Sequence, residues 1–325
     1  MRAMMSDLPG GPESLVMRDL PSQPLANGQV RVAVHAAGVN FPDTLIIADK
    51  YQFKPPRPFA PGHEVGGVVR EVGAGVAGFA VGDRVIAMIG SGGYADEVVT
   101  EVGNLLKMPA NMTFDEGAAF TMTYGTSYYA LKQRGELKPG ETLLVLGAAG
   151  GVGLTAVELG VRMGAKVIAA VGSDEKMEIC RKYGATMFVN YTREKLRDKV
   201  KELTGGKGAD VIYDAVGGDA FDEAIRSINW LGRLLVVGFA SGRIPQLPAN
   251  LALLKSCDVR GVFYGAWRSR DPKEAQKNFD EMFAWVQEGK LKPHISMTFP
   301  LEKAADAMNA LLSRKATGKV VIHTR

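Results

Sequence analysis

The sequence predicts an α/β protein of two parts: a small barrel or folded sheet of short strands, and a doubly wound parallel sheet with helices on both faces. Three observations predict this. Residues 1–120 hold short alternating runs, Val30–Ala36, Val65–Val72 and Arg84–Met88, separated by Gly, Pro, Asn and Asp. Residues 125–265 instead alternate apolar strands with amphipathic helices, the pattern of a parallel sheet covered on both sides. Where the second pattern begins, a strand runs through a glycine cluster straight into a helix, in TLLVLGAAGGVGLTAVELG at 142–160.

Asn27-Gly28 and Val81-Gly82-Asp83 stand just before two of the short runs and supply turn residues that tolerate positive φ. Residues 40–61 are rich in proline and read as loop. Parallel strands are expected at Thr142–Leu146, Lys166–Ala170, Met187–Val189, Asp210–Asp214, Leu234–Gly238 and Asp258–Val262. Helices are expected between them, at 151–163, 175–183, 193–203 and 219–228. The remainder reads as helices at 272–289 and 301–313 and a last strand, Lys319–His323.

Composition narrows the function classes. A chain of 325 residues suggests two domains, and 46% hydrophobic with 23% charged residues fills two cores without a disulfide or metal staple. Net charge is +4, from 39 Lys and Arg against 35 Asp and Glu, and the basic residues form no block. Neither nucleic acid nor an acidic membrane surface is an expected partner. Cys180 and Cys257 form no C-x-x-C pair, which excludes a disulfide framework and a four-cysteine zinc lobe and suits a reducing, cytoplasmic setting. The N-terminal MRAMMSDLPGGPESL has no apolar core of a signal peptide. The apolar stretch Leu143–Val161 contains Glu158 and several glycines, which makes it a strand–turn–helix rather than a membrane span.

The glycine cluster carries the first functional signal. Ala148-Ala149-Gly150-Gly151-Val152-Gly153 matches G-x-G-x-x-G with Ala in place of the first Gly. Gly150 admits a pyrophosphate against the backbone, Gly153 lets the helix pack on the sheet, and the helix N-terminus favours the anion. The end of the second strand distinguishes the dinucleotides. NAD binders place an acid there for the ribose 2′-hydroxyl. Here Val171 is followed by Gly172-Ser173, which leaves room for a 2′-phosphate, and Lys176 can pair with one. Asp174 is either the ribose acid or the N-cap of a helix starting at Glu175; the cap, and with it NADPH, is the preferred reading.

Taken in order, Asn40-Phe41-Pro42-Asp43, Gly62-His63-Glu64, Val81-Gly82-Asp83-Arg84-Val85, the turn at 147–153, Val237-Gly238-Phe239-Ala240 and Gly318-Lys319-Val320-Val321 resemble the zinc-free quinone oxidoreductase branch of the medium-chain dehydrogenases/reductases, which includes zeta-crystallin. The resemblance covers nearly the whole chain. It implies a GroES-like β-barrel catalytic domain of residues 1–124 and 266–325, a Rossmann nucleotide-binding domain of 125–265, and an active site in the cleft between them. It also implies a homodimer through the edge strand near Asp258–Val262, and a bare apolar edge needs such cover. Zinc alcohol dehydrogenases carry Cys, His and Cys at the metal. The corresponding residues here are Asn40, His63 and Met122, so no metal is expected and His63 is read as a hydrogen-bonded loop histidine.

Without a metal, the implied chemistry is hydride transfer from NADPH to an acceptor that is already electrophilic, a quinone or another α,β-unsaturated carbonyl. The resemblance nominates Asn40, Asp43 and Tyr51 as catalytic residues: Asn40 to hold a ribose hydroxyl or carbonyl oxygen, Asp43 to orient it, Tyr51 to supply a proton. It nominates Thr126, Gly150, Gly151, Val152, Gly153, Ser173, Lys176, Tyr191, Phe239 and Lys319 as cofactor contacts. Phe263, Tyr264 and Trp267 are either a flat acceptor pocket or core. One alternative is an enoyl-thioester reductase of the enoyl-CoA type, with a basic rim of Lys50, Lys54, Arg57 and Arg268. The other is a non-catalytic NADPH-binding protein.

Overall fold

The computed structural model describes all residues from Met1 to Arg325. It divides into two compact units, Met1–Met122 with Met282–Arg325, and Thr123–Glu281. In chain order the first stretch holds β1 (Arg2–Met5), β2 (Val16–Asp19), β3 (Gln29–Val39), α1 (Phe41–Ile47), β4 (Glu64–Val72), β5 (Arg84–Met88), β6 (Glu97–Glu101), β7 (Leu105–Lys107), α2 (Phe114–Ala118) and α3 (Thr121–Tyr129). The middle holds β8 (Thr142–Leu146), α4 (Gly151–Arg162), β9 (Lys166–Val171), α5 (Asp174–Lys182), β10 (Met187–Asn190), α6 (Leu196–Leu203), β11 (Ala209–Asp214), α7 (Gly218–Ala224), β12 (Ile228–Val236), α8 (Ala249–Lys255), β13 (Asp258–Gly261), α9 (Tyr264–Arg270) and α10 (Pro272–Gln287). The chain closes with β14 (Ile295–Pro300), α11 (Ala304–Leu312) and β15 (Lys319–His323).

In the first unit a seven-stranded sheet runs β14-β15-β3-β4-β5-β7, with β6 also paired to β3. All these pairings are antiparallel except β14 with β15. The core gathers around β3, where Val30, Val32 and Val34 are fully buried, with Val65 and Val69 of β4 and Val320 and Ile322 of β15. One edge of β3 is shared. β6 pairs with Gln29–Ala33 and β15 with Ala36–Val39, so strands far apart in sequence complete the same edge.

The second unit is a six-stranded, all-parallel sheet in the order β10-β9-β8-β11-β12-β13. Counted from its own first strand this is 3-2-1-4-5-6, the order of dinucleotide-binding sheets, with the switch point between β8 and β11. The central strands are continuous apolar runs because both faces are covered: Leu143, Leu144, Val145 and Leu146 are all fully buried.

Residues 40–61 are not all loop, as the prolines suggested. They open with helix α1, whose first turn contains Pro42. Proline costs nothing there, since the N–H it lacks has no intrahelical partner at that position. Asp43 closes the turn by accepting the Asn40 backbone N–H at 2.8 Å. β12 begins at Ile228, six residues before the expected strand, and its pairing with β11 shifts register between Ala209 and Val211. The helices α8 and α9 lie in stretches where no helix was expected.

Candidate active site

The glycine turn sits at the switch point. β8 ends at Leu146, and α4 starts at Gly151 with Gly150 as its N-cap in an extended conformation. A Cβ on Gly153 would lie 2.1 Å from the Gly147 carbonyl oxygen, so only glycine lets α4 pack this close to the turn. A Cβ on Gly150 would meet nothing nearer than that oxygen at 3.3 Å. The chain itself leaves space above Gly150, next to a helix N-terminus with unpaired N–H groups. Ser127 of α3 ties the turn down, bonding the Val152 carbonyl at 2.8 Å, Thr155 at 2.8 Å and the Tyr213 hydroxyl at 2.9 Å. Thr126 is the adjacent residue and is partly exposed.

Beside this turn, at the end of β11, the buried Asp214 accepts the Val216 and Gly217 N–H groups, both at 2.8 Å, through one oxygen. Its other oxygen has no partner. Burial raises this carboxyl's pKa against the pull of those two bonds. Phe239, past the end of β12, packs beside Gly217.

At the end of β9 the N-cap is Ser173, not Asp174. The Ser173 hydroxyl accepts the Lys176 N–H at 3.4 Å, and Asp174 is the first helical residue. Serine makes the better cap because its short side chain already stands where the chain leaves β9 in extended conformation. The Asp174 carboxylate is taken up by Asn190 at 3.0 Å and by the two terminal guanidinium nitrogens of Arg193, each at 2.7 Å. Hydrogen bonding from Asn190, helped by the bond and the charge of Arg193, holds its pKa below the usual carboxylate value against the opposing effect of desolvation. The Tyr191 ring lies over Gly172, where an added Cβ would approach it to 3.4 Å. Ser173, Lys176 and Tyr191 therefore gather at one corner, with Arg193 beside them. Sequence reading missed Arg193, because the rule for the ribose site concerns the end of the second strand and this residue lies past the third.

The second group of expected residues lies in the first unit and forms one buried network. Lys319, 4% exposed in its side chain, donates to Glu64 at 2.8 Å, to the Asn40 side-chain oxygen at 2.8 Å and to the Val39 carbonyl at 3.1 Å. Its three protons are all used. Glu64 is fully buried and also accepts from the Asn40 amide at 3.0 Å, the Thr121 hydroxyl at 2.8 Å and the Met122 N–H at 2.9 Å. Asp43, also fully buried, bonds the His63 ring through one oxygen, and through the other accepts the Asn40 N–H and, at 3.2 Å, the Tyr94 hydroxyl. Tyr51 lies near enough that the Asp43 charge adds to burial in raising its phenol pKa.

The structure thus brings Asn40, Asp43 and Lys319 together and adds Glu64, His63 and Tyr94. Glu64 and Lys319 had a sequence signal: each is a charge placed at the start of an apolar strand run, where only a partner makes burial tolerable. Of the aromatic trio, Tyr264 is buried and Trp267 stacks on Tyr129 at 4.3 Å, whereas Phe263 is exposed. The expected basic rim is partly spent: Arg57 donates to the Ile46 and Ile47 carbonyls and Lys54 pairs with Asp49.

Known proteins match both units. The family model described as "Alcohol dehydrogenase GroES-like domain" matches residues 26–110, and "Zinc-binding dehydrogenase" matches 151–288. A quinone oxidoreductase-like protein 2 homolog from Nematostella vectensis is 46% identical over the whole chain and 89% of its own length. The quinone oxidoreductase of Pseudomonas aeruginosa is 36% identical, with 96% of each chain covered. This chain belongs to the quinone oxidoreductase family of medium-chain dehydrogenases/reductases. Among solved structures, Escherichia coli quinone oxidoreductase complexed with NADPH superposes with a TM-score of 0.93 at 30% identity, covering 99% of this chain and all of that one.

As in the zinc-free branch of this family, the donor set here does not suit a catalytic zinc. The Asn40 oxygen is committed to an ammonium group and Met122 offers only a thioether, which leaves His63, its Nδ1 bonded to Asp43, as a lone nitrogen donor. No three His, Cys, Asp or Glu side chains converge in a way that could hold a metal ion.

Proposed function

We propose that the chain is an NADPH-dependent reductase of quinones and related α,β-unsaturated carbonyls that works without a catalytic metal. The observation that carries this is the state of the positions that correspond to zinc ligands in zinc relatives: the Asn40 oxygen accepts from the Lys319 ammonium and Met122 offers only a thioether, so His63 stands alone. An alcohol cannot be activated there as a zinc alkoxide, which leaves acceptors that need no Lewis acid. Likeness to a quinone oxidoreductase complexed with NADPH supports the same reading.

NADPH, when bound, supplies a hydride. The residues present fit it. Gly150, Gly151, Val152 and Gly153 offer an open turn and helix N-terminus to the pyrophosphate, and Thr126 and Phe239 are assigned to the same cofactor. Ser173, Lys176, Tyr191 and Arg193 are assigned to a 2′-phosphate in this reading. Asp174 does not serve as a ribose acid in this assignment, because Asn190 and Arg193 neutralise it. Asn40 holds an acceptor or ribose oxygen, and Lys319 and Asp43 fix its orientation from either side. Lys319 acts in this reading through Asn40. Tyr51 offers a phenolic hydrogen bond.

Homodimerisation also belongs to this proposal. β13 is the sheet edge, paired only with β12, and near it Leu253, Leu254 and Phe263 are 77%, 64% and 59% exposed. A second copy pairing along β13 covers them. No helix is long and apolar enough to cross a membrane, and both cysteines are unpaired and buried. These fit cytosolic residence.

The test is steady-state oxidation of NADPH and of NADH with 1,4-benzoquinone, an aliphatic enone and crotonyl-CoA, each with and without chelator. Chelator-insensitive turnover with NADPH and benzoquinone supports the proposal. Preference for crotonyl-CoA selects the enoyl-thioester alternative. Tight NADPH binding without turnover of any acceptor selects a binding role.

A further inference from the structure

We infer that His63 is the proton donor of the reaction, held for that task by Asp43. The inference rests on the reductase reading above and adds to it the group that finishes the reduction. Within the network, Asp43, Glu64, Tyr94 and Lys319 are closed off from solvent, at 0%, 0%, 0% and 4% exposure. The His63 side chain keeps 12%. Its Nδ1 is bonded to Asp43, which accepts and so fixes the proton on Nδ1. Nε2 has no hydrogen-bond partner within the chain and is the nitrogen left to exchange a proton. A buried carboxylate that orients an imidazole while its other nitrogen does the chemistry is a recurring arrangement.

The charges that face the ring set its proton affinity. Asp43 comes from α1, Glu64 from the start of β4, Lys319 from β15, and the neutral Tyr94 bonds Asp43 from behind. Burial pushes the His63 pKa down, but attraction to Asp43, the bond with it and the charge of Glu64 outweigh burial and the opposing Lys319. The imidazolium therefore persists to higher pH than in a free imidazole, which moves the ring toward the range where a general acid is most effective. The alternative donor is poorer: burial and Asp43 raise the Tyr51 phenol further from neutrality.

The step balances. The acceptor takes the hydride with both electrons, and one of its oxygens becomes an oxyanion. The Nε2–H bond breaks and an O–H bond forms, the electron pair staying on Nε2. The other proton stays on Nδ1, donated to Asp43, and water then returns a proton to Nε2.

The experiment uses full-length protein and two variants, His63→Gln and Tyr51→Phe. Glutamine can still donate to Asp43 but has no transferable proton. In wild type, kcat with benzoquinone falls on the alkaline side as His63 loses its proton. Nuclear magnetic resonance titration of the ring in the cofactor-free protein gives the same pKa, above the ordinary value of about 6.5. His63→Gln lowers kcat by about 10²–10⁴ and removes the alkaline limb, with NADPH affinity by fluorescence unchanged. Tyr51→Phe keeps the limb. Wild-type kcat in His63→Gln, or an alkaline limb that survives there and vanishes in Tyr51→Phe, overturns the inference and leaves the reductase reading intact. A wild-type protein that binds NADPH but reduces no acceptor overturns both.

Discussion

Replacing Lys319 with methionine removes one charge of a buried pair and leaves Glu64 without its counter-ion. Glu64 has no exposed surface, and three neutral donors, from Asn40, Thr121 and Met122, then face a bare carboxylate. Breaking such a pair from one side costs about 3–5 kcal/mol, because the remaining charge stays desolvated. For a unit of this size each kcal/mol moves the melting temperature by about 2–4 °C, so the first thermal transition should fall by roughly 6–20 °C. Adding Glu64→Gln removes the stranded charge while keeping an oxygen for the Thr121 and Met122 donors, and should recover most of the loss. Differential scanning calorimetry of the two singles and the double closes a double-mutant cycle. A Lys319→Met shift below about 2 °C, or a double variant less stable than the single, would refute the account of Lys319 as the charge that makes Glu64 tolerable.

Four further outcomes are expected. Ser173→Asp places a second carboxylate beside Asp174 and should raise the NADPH Kd at least tenfold while leaving NADH little changed; equal effects on both cofactors would misplace the 2′-phosphate. Gly150→Ala meets only one atom of the chain, at 3.3 Å, and should keep the wild-type melting curve yet weaken both dinucleotides, whereas Gly153→Ala, at 2.1 Å, should destabilise the fold; calorimetry and fluorescence titration separate the two. Leu253→Glu with Leu254→Glu should shift the protein from dimer to monomer in analytical ultracentrifugation. The folded-state pKa of His63 is raised, so its contribution to stability is fully present below the unfolded value of about 6.5 and is lost as pH rises through the folded one. His63→Gln should therefore flatten denaturant midpoints across that window, and a midpoint profile parallel to wild type would count against the ion pair with Asp43.

The parallel sheet was legible in the sequence because strands buried on both faces must be apolar throughout, as in TLLVL, and the glycine turn because its spacing is fixed by geometry. What escaped was of two kinds. Some local rules point two ways: Pro42 reads as a loop breaker or as a first-turn residue, and Ser173 and Asp174 are both good caps, so only the backbone decides. Other features join distant residues. Glu64 and Lys319 stand 255 positions apart, and His63 reaches Asp43 across 20. No periodicity encodes such pairings.

The shared edge of β3 bears on how the chain is made. β6 covers Gln29–Ala33 early, but Ala36–Val39 waits for β15, which leaves the ribosome after every other strand of either sheet. At about 5–20 residues per second, the sheet stands open at that position for on the order of ten to forty seconds after residue 122 is synthesised. Meanwhile the middle unit, complete by Glu281, has every strand it needs. Folding order is thus inverted with respect to synthesis: the nucleotide-binding sheet can close first, and the earlier-made half is finished by the final strand, which arrives carrying the ammonium that Glu64 has lacked until then.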